Sequence, residues 1–269
     1  MTLVNGQSVD TVSARDRGLA YGDGVFRTLR TEGGQPLWWA DHYAKLVADC
    51  AALALACPDE AMLYDEVCQV AEAGQGVVKI VLTRGEGARG YALPAARSGT
   101  RIVMAAPLPP HANSNPSVDV TVRWCILRLA RQPRLAGVKH LNRLENVLAR
   151  AEWDDAAIFE GLLCDDSGAV IGGVMSNVFA VRNGELMTPD LSECGVAGVA
   201  RSRLLRAAIR MGIRVHVGRL LPDVILAADE CMICNSLIGV RRVGRLDDKT
   251  WPPAGWTTTL NNALYEETD

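Results

Sequence analysis

Apolar residues recur at helical spacing over residues 39–56, where Leu46, Ala48, Ala52, Leu53 and Leu55 stand on an alanine-rich background, and predict an amphipathic helix. The same spacing over residues 59–72, carried by Met62, Leu63, Val67 and Val70, predicts a second. The pattern then changes: residues 76–83 and 101–106 are β-branched or continuously apolar runs and read as strands. Ahead of the first helix, residues 9–12 and the stretch up to Arg30 read as short strands around a loop, Arg17-Gly18-Leu19-Ala20-Tyr21-Gly22-Asp23-Gly24.

A proline-rich break, Pro107-Leu108-Pro109-Pro110 followed by His111-Ala112-Asn113-Ser114-Asn115-Pro116, is the strongest linker signal. Beyond it residues 118–125 alternate as a strand does, and Leu141, Leu144, Val147 and Leu148 mark a helix face. Two hairpins follow, one turning at Asp165-Asp166-Ser167-Gly168 and one at Asn183-Gly184, the favoured type I′ pair. Residues 202–211 read as a helix and 229–243 as a further strand and loop. These elements predict an α/β (α+β) chain of two domains, residues 1–108 and 118–269, joined by a linker at 109–117.

Composition narrows the functions. The 269 residues carry 28 Lys and Arg against 31 Asp and Glu, so no broad basic field exists to hold nucleic acid or acidic lipid. Charges interrupt every apolar stretch before the roughly 18 residues a membrane helix needs. The start, Met1-Thr2-Leu3-Val4-Asn5-Gly6, has neither a basic nor an apolar run, so the expectation is a cytoplasmic protein without a secretory signal. The eight cysteines sit mostly in apolar company, and Cys231-Met232-Ile233-Cys234 has no second pair or histidines nearby, so they read as core thiols, with no metal and no disulfide.

Three segments carry candidate chemistry. Lys139, in Gly137-Val138-Lys139-His140-Leu141-Asn142-Arg143-Leu144-Glu145, lies between an apolar approach and a helix start; desolvation would make it a nucleophile, although composition alone favours a solvated lysine. Cys194-Gly195-Val196-Ala197-Gly198-Val199-Ala200-Arg201 is a glycine-bearing loop opening a helix, where main-chain N–H groups can hold a phosphate. Asn235-Ser236 after an apolar strand reads as a turn or as a phosphate contact.

Together these segments, with Arg15-Asp16-Arg17-Gly18-Leu19-Ala20-Tyr21-Gly22-Asp23-Gly24-Val25-Phe26, His42, Thr83-Arg84-Gly85-Glu86-Gly87-Ala88-Arg89-Gly90-Tyr91, Ser176-Asn177-Val178-Phe179, Thr188-Pro189 and Asp229-Glu230, carry a resemblance nearly end to end. The chain resembles the fold-type IV enzymes of pyridoxal 5′-phosphate, the D-amino acid and branched-chain aminotransferase-like family, and the string from Lys139 to Glu145 is similar to its aminodeoxychorismate lyase branch. The resemblance implies a two-domain homodimer with the cofactor between the domains. It implies Lys139 as the Schiff-base lysine, base and acid, with Lys45, Val199, Ala200 and Ser236 at phosphate-binding positions and Gly172 at the position facing the pyridine nitrogen. Arg89, Tyr91, Asn142 and Arg143 would meet the substrate carboxylates, a task that suits the arginine fork. The implied reaction splits 4-amino-4-deoxychorismate into 4-aminobenzoate and pyruvate, a step of folate biosynthesis. An aminotransferase of the same fold, or a homologue that binds the cofactor without efficient turnover, is the alternative.

Four positions depart from the pattern the resemblance sets. Gly172 replaces a glutamate that strengthens the cofactor's electron sink, and a nearby acid such as Glu145 is a candidate to substitute. Lys45 replaces an arginine, keeping the charge but not the fork. Arg27 follows Phe26 where an acidic or small polar residue is usual, and Arg242 stands where proline is.

Overall fold

In the first part of the chain, the helical and β-branched runs build one sheet backed by helices. The computed structural model describes residues 1–71, 74–94, 99–112 and 118–266; Asn113, Ser114, Asn115 and Pro116 of the expected linker lie outside them. The described chain divides into two compact units, residues 1–109 with 138–142, and residues 110–137 with 143–266.

The first unit runs β1 (Thr2–Val4), α1 (Arg17–Tyr21), β2 (Gly24–Glu32), β3 (Gln35–Pro36), α2 (Trp39–Ala52), α3 (Glu60–Val70), β4 (Gln75–Thr83) and β5 (Arg101–Pro107). Its antiparallel sheet has the order β1-β5-β4-β2-β3. Alternate residues of β2 and β4, among them Val25, Leu29, Val78, Ile80 and Leu82, point into a core closed by Leu46 and Cys50 of α2 and Leu63, Val67 and Val70 of α3. Residues 9–12, expected as a strand, form none: Val4 and Gln7 bond each other across a turn, and β1 takes the free edge of β5. The expected loop over residues 17–24 instead contains α1, because Asp16 caps Gly18 N–H at 2.7 Å and is itself held by the Thr83 and Thr100 hydroxyls.

The second unit holds β6 (Val120–Leu129), α4 (Leu144–Arg150), β7 (Ile158–Asp165), β8 (Val170–Gly173), β9 (Asn177–Arg182), β10 (Glu185–Pro189), α5 (Val199–Arg210), β11 (Arg214–Gly218), α6 (Pro222–Leu226), β12 (Glu230–Asn235), β13 (Gly239–Leu246), β14 (Lys249–Thr250) and α7 (Trp256–Glu266). Its mixed sheet has the order β11-β10-β9-β12-β13-β6-β7-β8, with β14 on β13. The β9–β10 turn has Asn183 at φ 51 and Gly184 at φ 74, the two left-handed residues a type I′ turn needs. Residues 229–243, expected as one strand and a loop, give the antiparallel pair β12 and β13.

Two expectations need correction. Lys139 was placed in the second domain, whereas residues 138–142 pack with the first: the open edge of β2 takes them up through Phe26 N–H to Lys139 O at 3.0 Å and Leu141 N–H to Gly24 O at 2.9 Å. The helix face was expected to include Leu141, Leu144, Val147 and Leu148; α4 begins only at Leu144, so Leu141 precedes it, and Leu144, Val147 and Leu148 are exposed, as is Ile126 of β6. Among the described residues no helix is long and apolar enough to cross a membrane.

Candidate active site

Lys139 is half-buried, and its setting is built by β2 and α2. Its ammonium lies 4.5 Å from the centroid of the Phe26 ring, and its main-chain N–H donates to Asp49 Oδ2 at 3.1 Å. Asp49, 1% exposed, also pairs with Arg27 and with Lys45 one helical turn before it. Burial, with Arg27 and Lys139 nearby, pushes the Lys45 ammonium down to about 7. Arg27 and Lys45, two of the departures, are thus linked through one carboxylate. Asp49 is a candidate site residue absent from the sequence reading; its trace in the sequence is the four-residue spacing from Lys45.

In the second unit, α5 starts at Val199 from Gly198, and no side chain caps its first N–H groups. Val199 and Ala200 are buried there. Asn177 holds the loop ahead of them, donating to Val196 O at 2.8 Å and accepting from Gly198 N–H at 3.2 Å. Gly137 is bonded to the same loop through Gly195 O and Ala197 N–H. Ser236 lies in a turn closed by Asn235 Oδ1, which accepts from Leu237 and Ile238 N–H. Each unit by itself offers a feature suited to pyridoxal phosphate: the first a half-buried amine at Lys139, the second an uncapped helix start with a dipole suited to a phosphate.

Gly172 is buried on β8; Glu145, the acid named as a candidate to replace its missing carboxylate, accepts the Ala130 N–H at 2.8 Å. The carboxylate against this strand is Glu160 of β7, 1% exposed, which accepts from Gly161 N–H, Met175 N–H and the Ser176 hydroxyl at 2.9–3.0 Å. It lies where a Gly173 side chain would be, 2.9 Å from the position of a Cβ. Burial pushes its pKa up, against the pull of the Met175, Ser176, Gly161 and Val174 donors. The turn it holds also receives Asn146 on Val174 O and Asn235 on Met175 O. Glu160, a lone acid inside an apolar strand, is the second residue missed, and that isolation was the available signal. Gly172→Glu, the direct restoration, puts a Cβ 2.9 Å from Ser176 O, already bonded to Gly173 N–H. The backbone must shift, so this variant is expected to lose ~1–3 kcal/mol of stability in urea unfolding.

A third cluster lies in the first unit. Arg15, Arg17, Tyr21 and Arg89 line a hollow of about 390 Å³. Arg17 is fixed by Asp23 at 2.9 Å and Gly90 O at 2.8 Å, with its guanidinium over Tyr21. Burial would raise the Asp23 carboxyl, but hydrogen bonds from Arg84 and Arg17 prevail and hold it below the usual range. Tyr91 is exposed, its ring 5.4 Å from that of Tyr21, and Asn142 donates to Gly22 O at 3.2 Å. Arg89, Tyr91 and Asn142 therefore gather around α1; Arg143 belongs to the second unit as the residue preceding α4, bonded to Asn146 and lowered by burial to about 10. Arg242, the fourth departure, pairs with Asp119 and donates to Trp251 O, bracing β13.

The comparisons with known proteins agree with this chemistry. The model of the amino-transferase class IV family matches residues 24–246. The chain is 34% identical to the aminodeoxychorismate lyase of Vibrio harveyi over 90% of each chain, and 30% identical to a putative branched-chain-amino-acid aminotransferase of Methanocaldococcus jannaschii over 91% and 88%. Its fold superposes on the crystal structure of 4-amino-4-deoxychorismate lyase from Pseudomonas aeruginosa with a TM-score of 0.94, 43% identity and full coverage of both chains. With the family model matching most of the chain and a relative 34% identical over 90% of each chain, the chain belongs to the amino-transferase class IV family.

Proposed function

We propose that this protein is a pyridoxal-phosphate-dependent carbon–oxygen lyase that converts 4-amino-4-deoxychorismate to 4-aminobenzoate and pyruvate. The observation that carries the reading is the full-length likeness to the Pseudomonas aeruginosa lyase. Gly172 weighs in the same direction. A transaminase depends throughout on a strong electron sink, whereas the lyase is helped by the aromaticity its product gains.

The bound cofactor supplies the electron sink for the reaction. Lys139 would hold it, and its free amine would take the proton from the amine-bearing ring carbon. The same amine returns a proton to the departing enolpyruvyl carbon, so one residue serves as carrier, base and acid. The main-chain N–H groups of Val199 and Ala200, the Ser236 hydroxyl and Lys45 bind the phosphate. Arg89, Tyr91, Asn142 and Arg143 bind the substrate carboxylates, and Arg15 and Arg17 add charge beside Arg89. Gly172 leaves the pyridine nitrogen without the family's carboxylate.

The protein acts in the cytoplasm as a homodimer. Support for the dimer comes from Leu144, Val147 and Leu148, an apolar stripe on α4 that stays exposed in the single chain. Val147→Asp is expected to shift the chain from dimer to monomer in analytical ultracentrifugation. The function is tested by incubating the holoenzyme with 4-amino-4-deoxychorismate: equal amounts of 4-aminobenzoate and pyruvate support the lyase. Amino transfer to a 2-oxo acid without 4-aminobenzoate would assign the chain to the aminotransferases.

A further inference from the structure

Two residues that look like unrelated departures, Arg27 and Lys45, meet on a single carboxylate that also touches the reactive lysine. Arg27 is 2% exposed in the middle of β2, and a buried guanidinium persists only with a counter-charge. Asp49 is that counter-charge, and Arg27 also donates to Lys45 O at 3.2 Å. The Arg27 Nε has no hydrogen-bond partner among the described residues, so the guanidinium is anchored through its other end. Lys45 reaches Asp49 from the same helix. The remaining acceptor capacity of Asp49 goes to the N–H of Lys139, ninety residues further along the chain, while Phe26 N–H holds the Lys139 carbonyl. The lysine is thereby gripped by its main chain on both sides, leaving its side chain to lie over Phe26.

We propose that Asp49, clamped by Arg27 and Lys45, is a positioning residue for Lys139: it anchors the main chain of the lysine and opposes the cations around its ammonium, and so sets the pH at which that amine becomes nucleophilic. The charged and titratable groups on the elements packed around it are Arg27, Arg30 and Glu32 on β2, Lys79 on β4 and Asp41, His42, Tyr43, Lys45, Asp49 and Cys50 on α2, with His140 next in the chain. Asp49 is the acid of that set with a carboxylate oxygen bonded to the Lys139 main chain. The field is shared, because Lys139 and Arg27 both act on Lys45. Removing the charge of Asp49 takes away the negative charge paired with Arg27 and Lys45, and so favours the neutral amine. Removing Lys45 does the reverse.

The proposal rests on Lys139 being the cofactor lysine, and the experiment keeps the two apart. In cofactor-free protein, the rate at which acetic anhydride acetylates Lys139 is followed against pH by peptide mass spectrometry. Asp49→Asn keeps a hydrogen-bond acceptor for the Lys139 N–H and is expected to lower the midpoint by about one pH unit. Lys45→Met is expected to raise it. An unmoved midpoint in a folded Asp49→Asn overturns the proposal, since a purely structural residue would leave the profile in place. If Asp49→Asn does not fold, Lys45→Met decides, because that side chain is 20% exposed and its loss leaves the Arg27–Asp49 pair intact; an unmoved or lowered midpoint then overturns it. Borohydride reduction with added pyridoxal phosphate reports separately whether Lys139 carries the cofactor.

Discussion

Lys139→Ala is expected to lower 4-aminobenzoate formation by at least ~10⁴-fold and to abolish the visible absorption band that the protein develops with pyridoxal phosphate. Positioned acid–base catalysis alone contributes about 10²–10⁴-fold, and this residue is also proposed to hold the cofactor. The loss is cleanly attributable, because the contacts that seat residue 139 are made by its main chain. Phe26 N–H and Asp49 Oδ2 bond the carbonyl and N–H, which alanine retains. Thermal unfolding of the cofactor-free variant is therefore expected within a few degrees of the parent. A variant that keeps the band, or keeps turnover within tenfold, would remove Lys139 from the mechanism.

Glu160→Ala is expected to cost ~3–5 kcal/mol in urea unfolding and to weaken cofactor binding as well. The carboxylate accepts from Gly161, Met175 and Ser176, and each donor left buried without a partner costs ~1–3 kcal/mol. The turn it releases leads into Asn177, whose amide orders the loop ahead of α5, so the phosphate cradle loosens with it. A pH signature separates this role from packing. Burial raises the folded-state pKa of Glu160 above its ordinary 4.5, so the protonated form is favoured by folding. Its contribution is complete below the ordinary value and declines as pH rises through the raised one. Glu160→Gln, which cannot ionise, is expected to lack that decline. Parallel pH dependences for parent and Gln variant would show that Glu160 does not titrate.

Much of the secondary structure was legible in the one-dimensional pattern. Helical spacing located α2, α3 and α5, β-branched runs located β4 and β5, and the Asn183-Gly184 turn fell where its φ angles demanded. The failures share a cause. Residues 9–12 have strand-like composition, but no vacant ladder takes them. Residues 17–21 look like a loop until Thr83 and Thr100 fix the capping Asp16. The apolar face of α4 is real, yet it faces away from its own unit. Each was decided by partners far away in the chain.

The site divides along the same line. Spacing by itself determined that a glycine loop opens α5 and that Asn183-Gly184 turns a hairpin, because motifs of contiguous residues carry their own geometry, while the parts given to Lys139, Arg89 and Tyr91 came from the family resemblance. Only the tertiary structure decided that Arg27, Lys45 and Lys139 share Asp49, that Lys139 belongs to the first unit, and that Glu160 occupies the space beside Gly173. The physical reason is that a buried charge must find its partner wherever the fold places one, and neither period nor propensity encodes a bond between residues 49 and 139.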